Sequence, residues 1–249
     1  RLDCVTCGRY GNCELLQLAR NLGVQKAPFT GKFIAERKVD HTDPAIELDV
    51  NKCVRCMRCV QICDKVQGMH VWDLMGTGSH TTIGVGKYRT LGESDCTFCG
   101  QCVVHCPVGG LQEHDDTGKV FDALADPNKI TVVQMAPAVR VAWAEYYHLT
   151  PEFASAERMV TALKQMGFDD VYEVSRGAEL VSDATRKLMA DGRLPKPVIS
   201  SACPAVVRLI RVRFPDLCDH VLNLNAPMEV SAMMAKRAAS ERTGIPVEE

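Results

Sequence analysis

The pattern of apolar and polar positions changes near Asp126-Pro127. Beyond this point, short apolar runs alternate with longer segments whose apolar residues recur three and four positions apart, so the pattern predicts strands alternating with helices. The predicted strands are residues 130–135, 170–174 and 197–200, and the predicted helices are residues 154–165, 178–189 and 203–214, followed by a last helix that begins at Pro227. Such alternation is typical of a parallel α/β layer.

The elements before this point are shorter. Leu15, Leu18 and Leu22 mark one side of a short helix, and two β-leaning runs, residues 69–75 and 81–85, predict a hairpin. Residues 25–49 are polar, contain Pro28, Gly31 and Pro44, and are interpreted as a connector. Two cysteine quartets flank the hairpin within residues 50–115, and a duplicated cysteine run with an inserted hairpin is a ferredoxin-like arrangement. We therefore expect an α+β chain with a cysteine segment at 1–24, a connector at 25–49, a ferredoxin-like module at 50–115 and a parallel-sheet domain at 128–249.

Composition narrows the functional classes. The 249 residues are 46% hydrophobic, which suffices for packed cores, and the formal net charge of −2 gives no basic field of the kind that binds nucleic acid. No apolar run is long enough to predict a membrane span. Thirteen cysteines in such a chain indicate a reducing compartment, most simply the cytoplasm.

Two cysteine quartets share the spacing Cys-x2-Cys-x2-Cys-x3-Cys, which is typical of a pair of [4Fe–4S] clusters. In this pattern, three cysteines surround one cluster and the fourth reaches the neighbouring cluster. We therefore assign Cys53, Cys56, Cys59 and Cys106 to one cluster, and Cys96, Cys99, Cys102 and Cys63 to the other. The alternatives are a zinc site, which needs only four ligands, and a disulfide framework, which is unexpected because residues 107–202 contain no cysteine.

A third group, Cys4, Cys7 and Cys13, offers three ligands for another [4Fe–4S] cluster, with a three-cysteine zinc site as the alternative. The stretch from Asp3 through Glu14-Leu15 resembles a segment of the large iron–sulfur subunit of complex I and of modular [FeFe] hydrogenases. That resemblance implies a histidine as the fourth ligand, a few residues before the first cysteine. Because the chain begins with Arg1 and ends after Gly244-Ile245-Pro246, we expect it to be a fragment.

Later motifs separate these two families. Met135 to Arg140, Gly177 to Leu180, Ser200 to Pro204 and Ala226 to Glu229 resemble, in order, signatures of the catalytic domain of [FeFe] hydrogenases. The resemblance implies an H-cluster, of which Cys203 would be the first cubane ligand and for which Ala136, Pro137 and Ala138 would help to form the pocket. The site is expected to be partial in this chain.

Departures from the family pattern fall at its proton-transfer positions. Ala202 occupies the place of a proton-transferring cysteine, Asp183 and Arg186 that of a Glu-x2-Glu pair, and Leu222 that of a serine. Asp183 is able to replace a glutamate, whereas an arginine stays charged and accepts no proton.

The resemblance implies an oxidoreductase that passes electrons between ferredoxin, or another redox subunit, and an H-cluster for 2 H⁺ + 2 e⁻ ⇌ H₂. This fragment alone is expected to be inactive. Two alternatives remain: a hydrogen-sensing homologue with weak turnover, and a non-catalytic wiring subunit of a larger, complex I-like oxidoreductase.

Overall fold

The computed structural model describes residues 4–26 and 37–245, which form two compact units that divide between Asp115 and Asp116. Asp3 of the first cysteine motif, Pro28 and Gly31 of the expected connector, and Pro246 at the end of the chain lie outside the described residues. Within the described part, no helix combines the length and apolarity needed to cross a membrane. Helices and short strands are mixed, so the fold class is α+β.

The first unit contains three helices and two antiparallel strand pairs within its described residues. Its helices are α1 (Glu14–Asn21), α2 (Arg58–Lys65) and α3 (Gln101–His105), and its strands are β1 (Ile46–Leu48), β2 (Trp72–Met75), β3 (Thr82–Val85) and β4 (Leu111–Glu113). β2 pairs with β3, so the predicted hairpin is present, although its first strand begins at Trp72 rather than at residue 69.

The expected connector is wrong for its second half, because β1 lies within it. Ile46 and Leu48 are 2% and 6% exposed, while Glu47 between them is only half-buried, which is the alternation of a strand with one face on the core. β1 pairs antiparallel with β4, matching Leu48 with Leu111. Residues before and after the cysteine quartets therefore close the first unit together.

The second unit contains six helices and one parallel strand pair among its described residues. The helices are α4 (Thr117–Ala125), α5 (Pro137–Tyr146), α6 (Ala156–Gln165), α7 (Ser175–Ala190), α8 (Pro204–Arg213) and α9 (Pro227–Thr243), and the strands are β5 (Val132–Met135) and β6 (Asp170–Glu173). The parallel pairing of β5 with β6 agrees with the predicted parallel layer. The strand predicted at residues 197–200 is instead a single bridge from Ile199 to Val221.

Helices α7 and α9 cross closely at Gly177. A Cβ atom on this glycine would lie 2.2 Å from the Pro227 carbonyl oxygen and 3.1 Å from the Ser231 nitrogen. Both are backbone atoms, so any side chain would push the helices apart. Gly177 and Pro227 belong to two different hydrogenase-like motifs, and this contact brings those motifs together.

Candidate iron–sulfur and cofactor sites

The two cysteine quartets adopt the same backbone conformation. The second residue after the first cysteine, Arg55 or Phe98, has a φ of 58° or 60°, and the fourth, Met57 or Gly100, has a φ of 62° or 72°. Three of these four residues are not glycine, and an L side chain in this left-handed region costs energy. Repetition of this conformation at matched positions indicates that the loops are shaped for a ligand.

Backbone N–H groups point at the cysteine sulfurs in both loops. The Arg55 N–H donates to Cys53 Sγ at an N···S distance of 3.3 Å, and the Phe98 N–H donates to Cys96 Sγ at 3.4 Å. These bonds favour the ionised thiolate, which is the form that binds iron. Each loop is therefore preorganised for metal-bound sulfur.

The structure gathers each expected ligand set around its own cavity. The first thiol cavity is lined by Cys53, Cys56, Cys59 and Cys106. Its walls are apolar and include Leu48, Ile83, Val108 and Leu111. Cys106 belongs to the second quartet in sequence, yet it lies at the cavity of the first.

The second thiol cavity shows the reciprocal arrangement. It is lined by Cys63, Cys96, Cys99 and Cys102, with Ile46, Met69 and Trp72 among its wall residues. Cys63 comes from the first quartet. The structure thus brings each expected set of four cysteines to its own cavity, and their role as ligands stays a prediction.

Burial and mutual repulsion raise the thiol pKa values in both cavities. Burial first, and then the charges of Cys53, Cys106 and Cys56, raise the pKa of Cys59 to about 12. Burial also raises the pKa of Cys96 to about 11 and that of Cys102 to about 12. Thiols of this kind lose their protons only when a cation compensates the charge, which is what iron supplies.

Each cavity offers the four-thiol donor set that a [4Fe–4S] cluster requires. Tetrahedral zinc draws four ligand atoms to about 2.0–2.3 Å from one centre. Among the described residues, no group of three or more His, Cys, Asp or Glu side chains is arranged to hold one metal ion. A cubane binds each thiolate at a different iron, so its four sulfurs stay farther apart.

The third cysteine group lies against the first thiol cavity. A Cβ on Gly109 would be 2.6 Å from Cys7 Sγ, and the Glu14 N–H donates to the Pro107 carbonyl at 2.9 Å. Arg58 donates to both Glu14 carboxylate oxygens, at 2.6 and 2.8 Å. Cys4, Cys7 and Cys13 are all half-buried, and Cys13 caps the start of α1.

Arg9 and Trp72 are site residues that the sequence analysis missed. Arg9 lies between Cys7 and Cys13, and its guanidinium donates to the Val103 carbonyl at 2.7 Å and to that of Cys106 at 3.5 Å. The Trp72 side chain forms a hydrogen bond that favours the Cys102 thiolate. A cation between two cysteines was a signal for Arg9, whereas nothing local indicated Trp72.

Cys203 lies in the second unit, at the N-terminus of α8. It is exposed and precedes Pro204, the first residue of that helix. Two serines before it shape the turn: Ser201 Oγ donates to the Leu224 carbonyl at 2.7 Å, and Ser200 Oγ accepts from the Ala202 N–H at 3.3 Å. The thiol is thus presented outward from an ordered loop.

The other expected residues of this domain occupy separate places. Ala136 caps α5 directly after β5, and Pro137 and Ala138 form the exposed first turn of that helix. The exposed Asp183 is paired with Arg186 at 2.5 Å on α7, while Leu222 is 5% exposed and apolar. The cavity described between β5 and α9 is lined by neither Cys203 nor the first turn of α5.

Two protein-family descriptions match the chain, one in each part. Residues 43–112 match the ferredoxin-like domain of NADH-quinone oxidoreductase subunit 3. Residues 129–247 match the C-terminal domain of the iron only hydrogenase large subunit. The first match begins before β1, so the matched domain includes this strand, which the sequence analysis had placed in a connector.

Known proteins are similar over both parts. The chain is 32% identical to the NADP-reducing hydrogenase subunit HndD of Solidesulfovibrio fructosivorans in an alignment of 255 positions that covers 99% of this chain and 43% of that protein. It is 29% identical to iron hydrogenase 1 of Clostridium pasteurianum over 239 residues, covering 94% of this chain and 41% of that protein. The chain therefore spans less than half the length of either relative. A solved [FeFe]-hydrogenase structure, from work on oxygen inactivation of the H cluster, matches 53% of this chain and 36% of its own at 30% identity, with a TM-score of 0.43.

Proposed function

We propose that this chain, which is similar to the iron-only hydrogenase large subunits, is an iron–sulfur oxidoreductase that relays electrons through two [4Fe–4S] clusters to an H-cluster domain. The reaction served is 2 H⁺ + 2 e⁻ ⇌ H₂. The electron carrier proposed at the other end is ferredoxin or another redox subunit.

The observation that carries the relay is the duplicated cysteine loop. Both loops combine matched left-handed residues with an N–H···S bond and contribute three thiols to one cavity and one to the other. When bound, the clusters supply single-electron transfer. The protein orients the thiols, excludes water with apolar walls and stabilises thiolate charge with backbone N–H groups.

The proposal for the second unit rests on the place of Cys203. Cys203 is exposed and occupies the N-cap position of α8, directly before Pro204. Its loop follows the bridge between Ile199 and Val221, and α/β folds present ligand-binding groups in loops that lead into helices. We propose Cys203 as a ligand of the H-cluster cubane, and the first turn of α5, with Ala136, Pro137 and Ala138, as part of its pocket.

Infrared spectroscopy tests this proposal directly. The full-length protein, produced anaerobically with the enzymes that assemble [FeFe] active sites, should show CO and CN⁻ stretching bands and should convert H₂. Cys203→Ser should lose these bands while keeping the iron and sulfide of the two relay clusters. Cys218→Ser, which changes a half-buried thiol outside every family motif, is the matched control and should keep them. A wild-type protein with neither bands nor H₂ conversion would overturn the H-cluster proposal.

A hydrogen-sensing role is the second candidate, and the proton-transfer positions favour it. Ala202 carries no exchangeable proton, Leu222 is buried and apolar, and Asp183 is ion-paired with Arg186. Loss of positioned proton donors slows a reaction by about 10²–10⁴-fold. Infrared bands with very slow turnover would support the sensor, and fast turnover would exclude it.

A wiring subunit is the third candidate, favoured by the match of residues 43–112 to a subunit of NADH-quinone oxidoreductase. It predicts both relay clusters and electron transfer to a partner, with no CO or CN⁻ bands under any condition of maturation.

A further inference from the structure

Cationic groups surround the first thiol cavity. The Arg9 guanidinium reaches the carbonyl of Cys106, Arg55 is adjacent to Cys56, and the charge of Arg58 acts on Cys56 and Cys106. Arg58 is offset by its ion pair with Glu14. Arg9 and Arg55 have no anionic partner among the hydrogen bonds and ion pairs of the described residues, since their guanidinium groups donate to backbone carbonyls. The surroundings of this cavity are therefore net positive.

Anionic groups surround the second thiol cavity. Asp64 follows Cys63, Asp95 precedes Cys96, and the charge of Asp43 also acts on Cys96. The exposed His70 contacts Asp64 and offsets its charge only when protonated, and Lys65 is an exposed cation at the end of α2. The acidic side chains outnumber the basic ones here, which is the reverse of the first cavity.

Asp43 is the most unusual of these acids. It is 1% exposed, and its Oδ1 accepts the N–H groups of Ala45 at 2.8 Å and Ile46 at 2.9 Å. Its Oδ2 is buried without a hydrogen-bond partner among the described residues. A buried carboxyl oxygen without a donor is costly, so its presence beside Cys96 calls for an explanation beyond the turn that Oδ1 forms.

Burial differs in the same direction as charge. Cys63, Cys96 and Cys102 are buried in the second cavity, whereas Cys59 alone is buried in the first and Cys56 is exposed. Reduction adds one negative charge to a cluster, and burial away from water disfavours that charge. Backbone N–H groups donate to Cys53 in the first cavity and to Cys63 and Cys96 in the second, and as neutral dipoles they act more weakly than whole charges. The hydrogen bond from the Trp72 side chain favours ionisation of Cys102, but a neutral indole acts more weakly on a cluster than a charged side chain does.

We infer that the cluster held by Cys53, Cys56, Cys59 and Cys106 has the higher reduction potential of the two, so the first electron to enter the relay rests there. Arg9 is the positioning residue of this asymmetry, because its guanidinium is held by the Val103 carbonyl at 2.7 Å and reaches the carbonyl of the expected ligand Cys106 at 3.5 Å. The inference rests on the proposed function, since it requires a cubane in each cavity.

Redox titration with dithionite, monitored by electron paramagnetic resonance, tests the order. Each cluster takes one electron from dithionite, so the anaerobic wild-type protein should give two separate midpoints. Arg9→Gln should shift only the higher midpoint downward, and Arg9→Lys, which keeps the charge, should restore it. Asp95→Asn should shift only the lower midpoint upward.

Arg89→Gln is the matched control. Arg89 donates to the Gly86 and Glu93 carbonyls instead of to a ligand loop, so its removal should move neither midpoint. Coincident wild-type midpoints, or variants that move the opposite midpoint, would overturn the inferred order. Iron and acid-labile sulfide are measured first: a protein without two cubanes refutes the proposed function, whereas two cubanes with the wrong response refute the order alone.

Discussion

Replacing Gly177 with alanine should destabilise the second unit. The added Cβ would lie 2.2 Å from the Pro227 carbonyl oxygen, well short of the 3.0 Å that real Cβ atoms keep. Neither partner is a flexible side chain, so α7 and α9 must separate. Overpacking costs about 1–3 kcal/mol, and because both clashing atoms belong to the backbone we expect about 2–3 kcal/mol here. Subtracting the gain of about 1 kcal/mol that alanine brings within a helix leaves a net loss of about 1–2 kcal/mol.

Thermal unfolding followed by circular dichroism measures the effect. A loss of about 1–2 kcal/mol corresponds to a fall of roughly 2–8 °C in Tm for a unit of this size. Gly118→Ala is the matched control, because Gly118 lies in α4 with no atom within 4 Å of its Cβ position. That variant should leave Tm unchanged or raise it slightly. If Gly177→Ala were as stable as Gly118→Ala, the close crossing of α7 and α9 would be refuted.

Further predictions concern Asp170, the proton-transfer position at Ala202, and the exchange of the fourth cysteine between the two quartets. Burial acts to raise the pKa of Asp170, but hydrogen bonds from Arg242 and the Val171 N–H, with the charges of Arg242 and Lys164, outweigh it and hold that pKa below its usual value. The stability that this carboxylate contributes is present above the unfolded-state pKa and is lost as pH falls through the lower folded-state pKa. Asp170→Asn should therefore cost about 0.2–1 kcal/mol at pH 7 and should weaken the fall of the unfolding free energy at acidic pH, measured by urea unfolding at a series of pH values. An unchanged pH dependence would contradict this. Ala202→Cys should raise H₂ evolution by the matured protein by about 10²-fold, with Ala202→Ser as the control; equal rates would show that this position carries no proton. Iron analysis of two double variants tests the exchange of the fourth cysteine. Cys53→Ser with Cys106→Ser removes two ligands of the same cluster and should lose one cluster, whereas Cys96→Ser with Cys106→Ser removes one ligand from each cluster and should lose both. The opposite result would refute the exchange.

Local patterns account for much of the fold. The helix predicted at residues 178–189 is present as Ser175–Ala190, and the strand at 170–174 as Asp170–Glu173, because helical and strand periodicity are set by neighbours in sequence. The strand at residues 197–200 was wrong, since its backbone pairs with only one residue, Val221. The helix predicted to begin at residue 154 begins at Ala156, after a short turn and a Ser155 cap.

The expected connector shows where local patterns fail. β1 is three residues long and has its partner, β4, more than sixty positions away, so no periodicity in residues 25–49 was sufficient to predict it. Strand pairing is nonlocal, and a short polar neighbourhood hides a strand whose two buried residues are Ile46 and Leu48.

By itself the sequence predicted which cysteines of the first unit gather at each cavity, because thiol spacing along a tight loop limits which cysteines face the same side. It also determined the order of the hydrogenase-like motifs. Only the tertiary structure decided what surrounds each ligand set: Arg9 at the Cys106 carbonyl, Asp43 beside Cys96, and the deeper burial of the second cavity. The physical reason is that ligation depends on local spacing, whereas the electrostatic potential at a cluster depends on charges and burial contributed by segments distant in the chain.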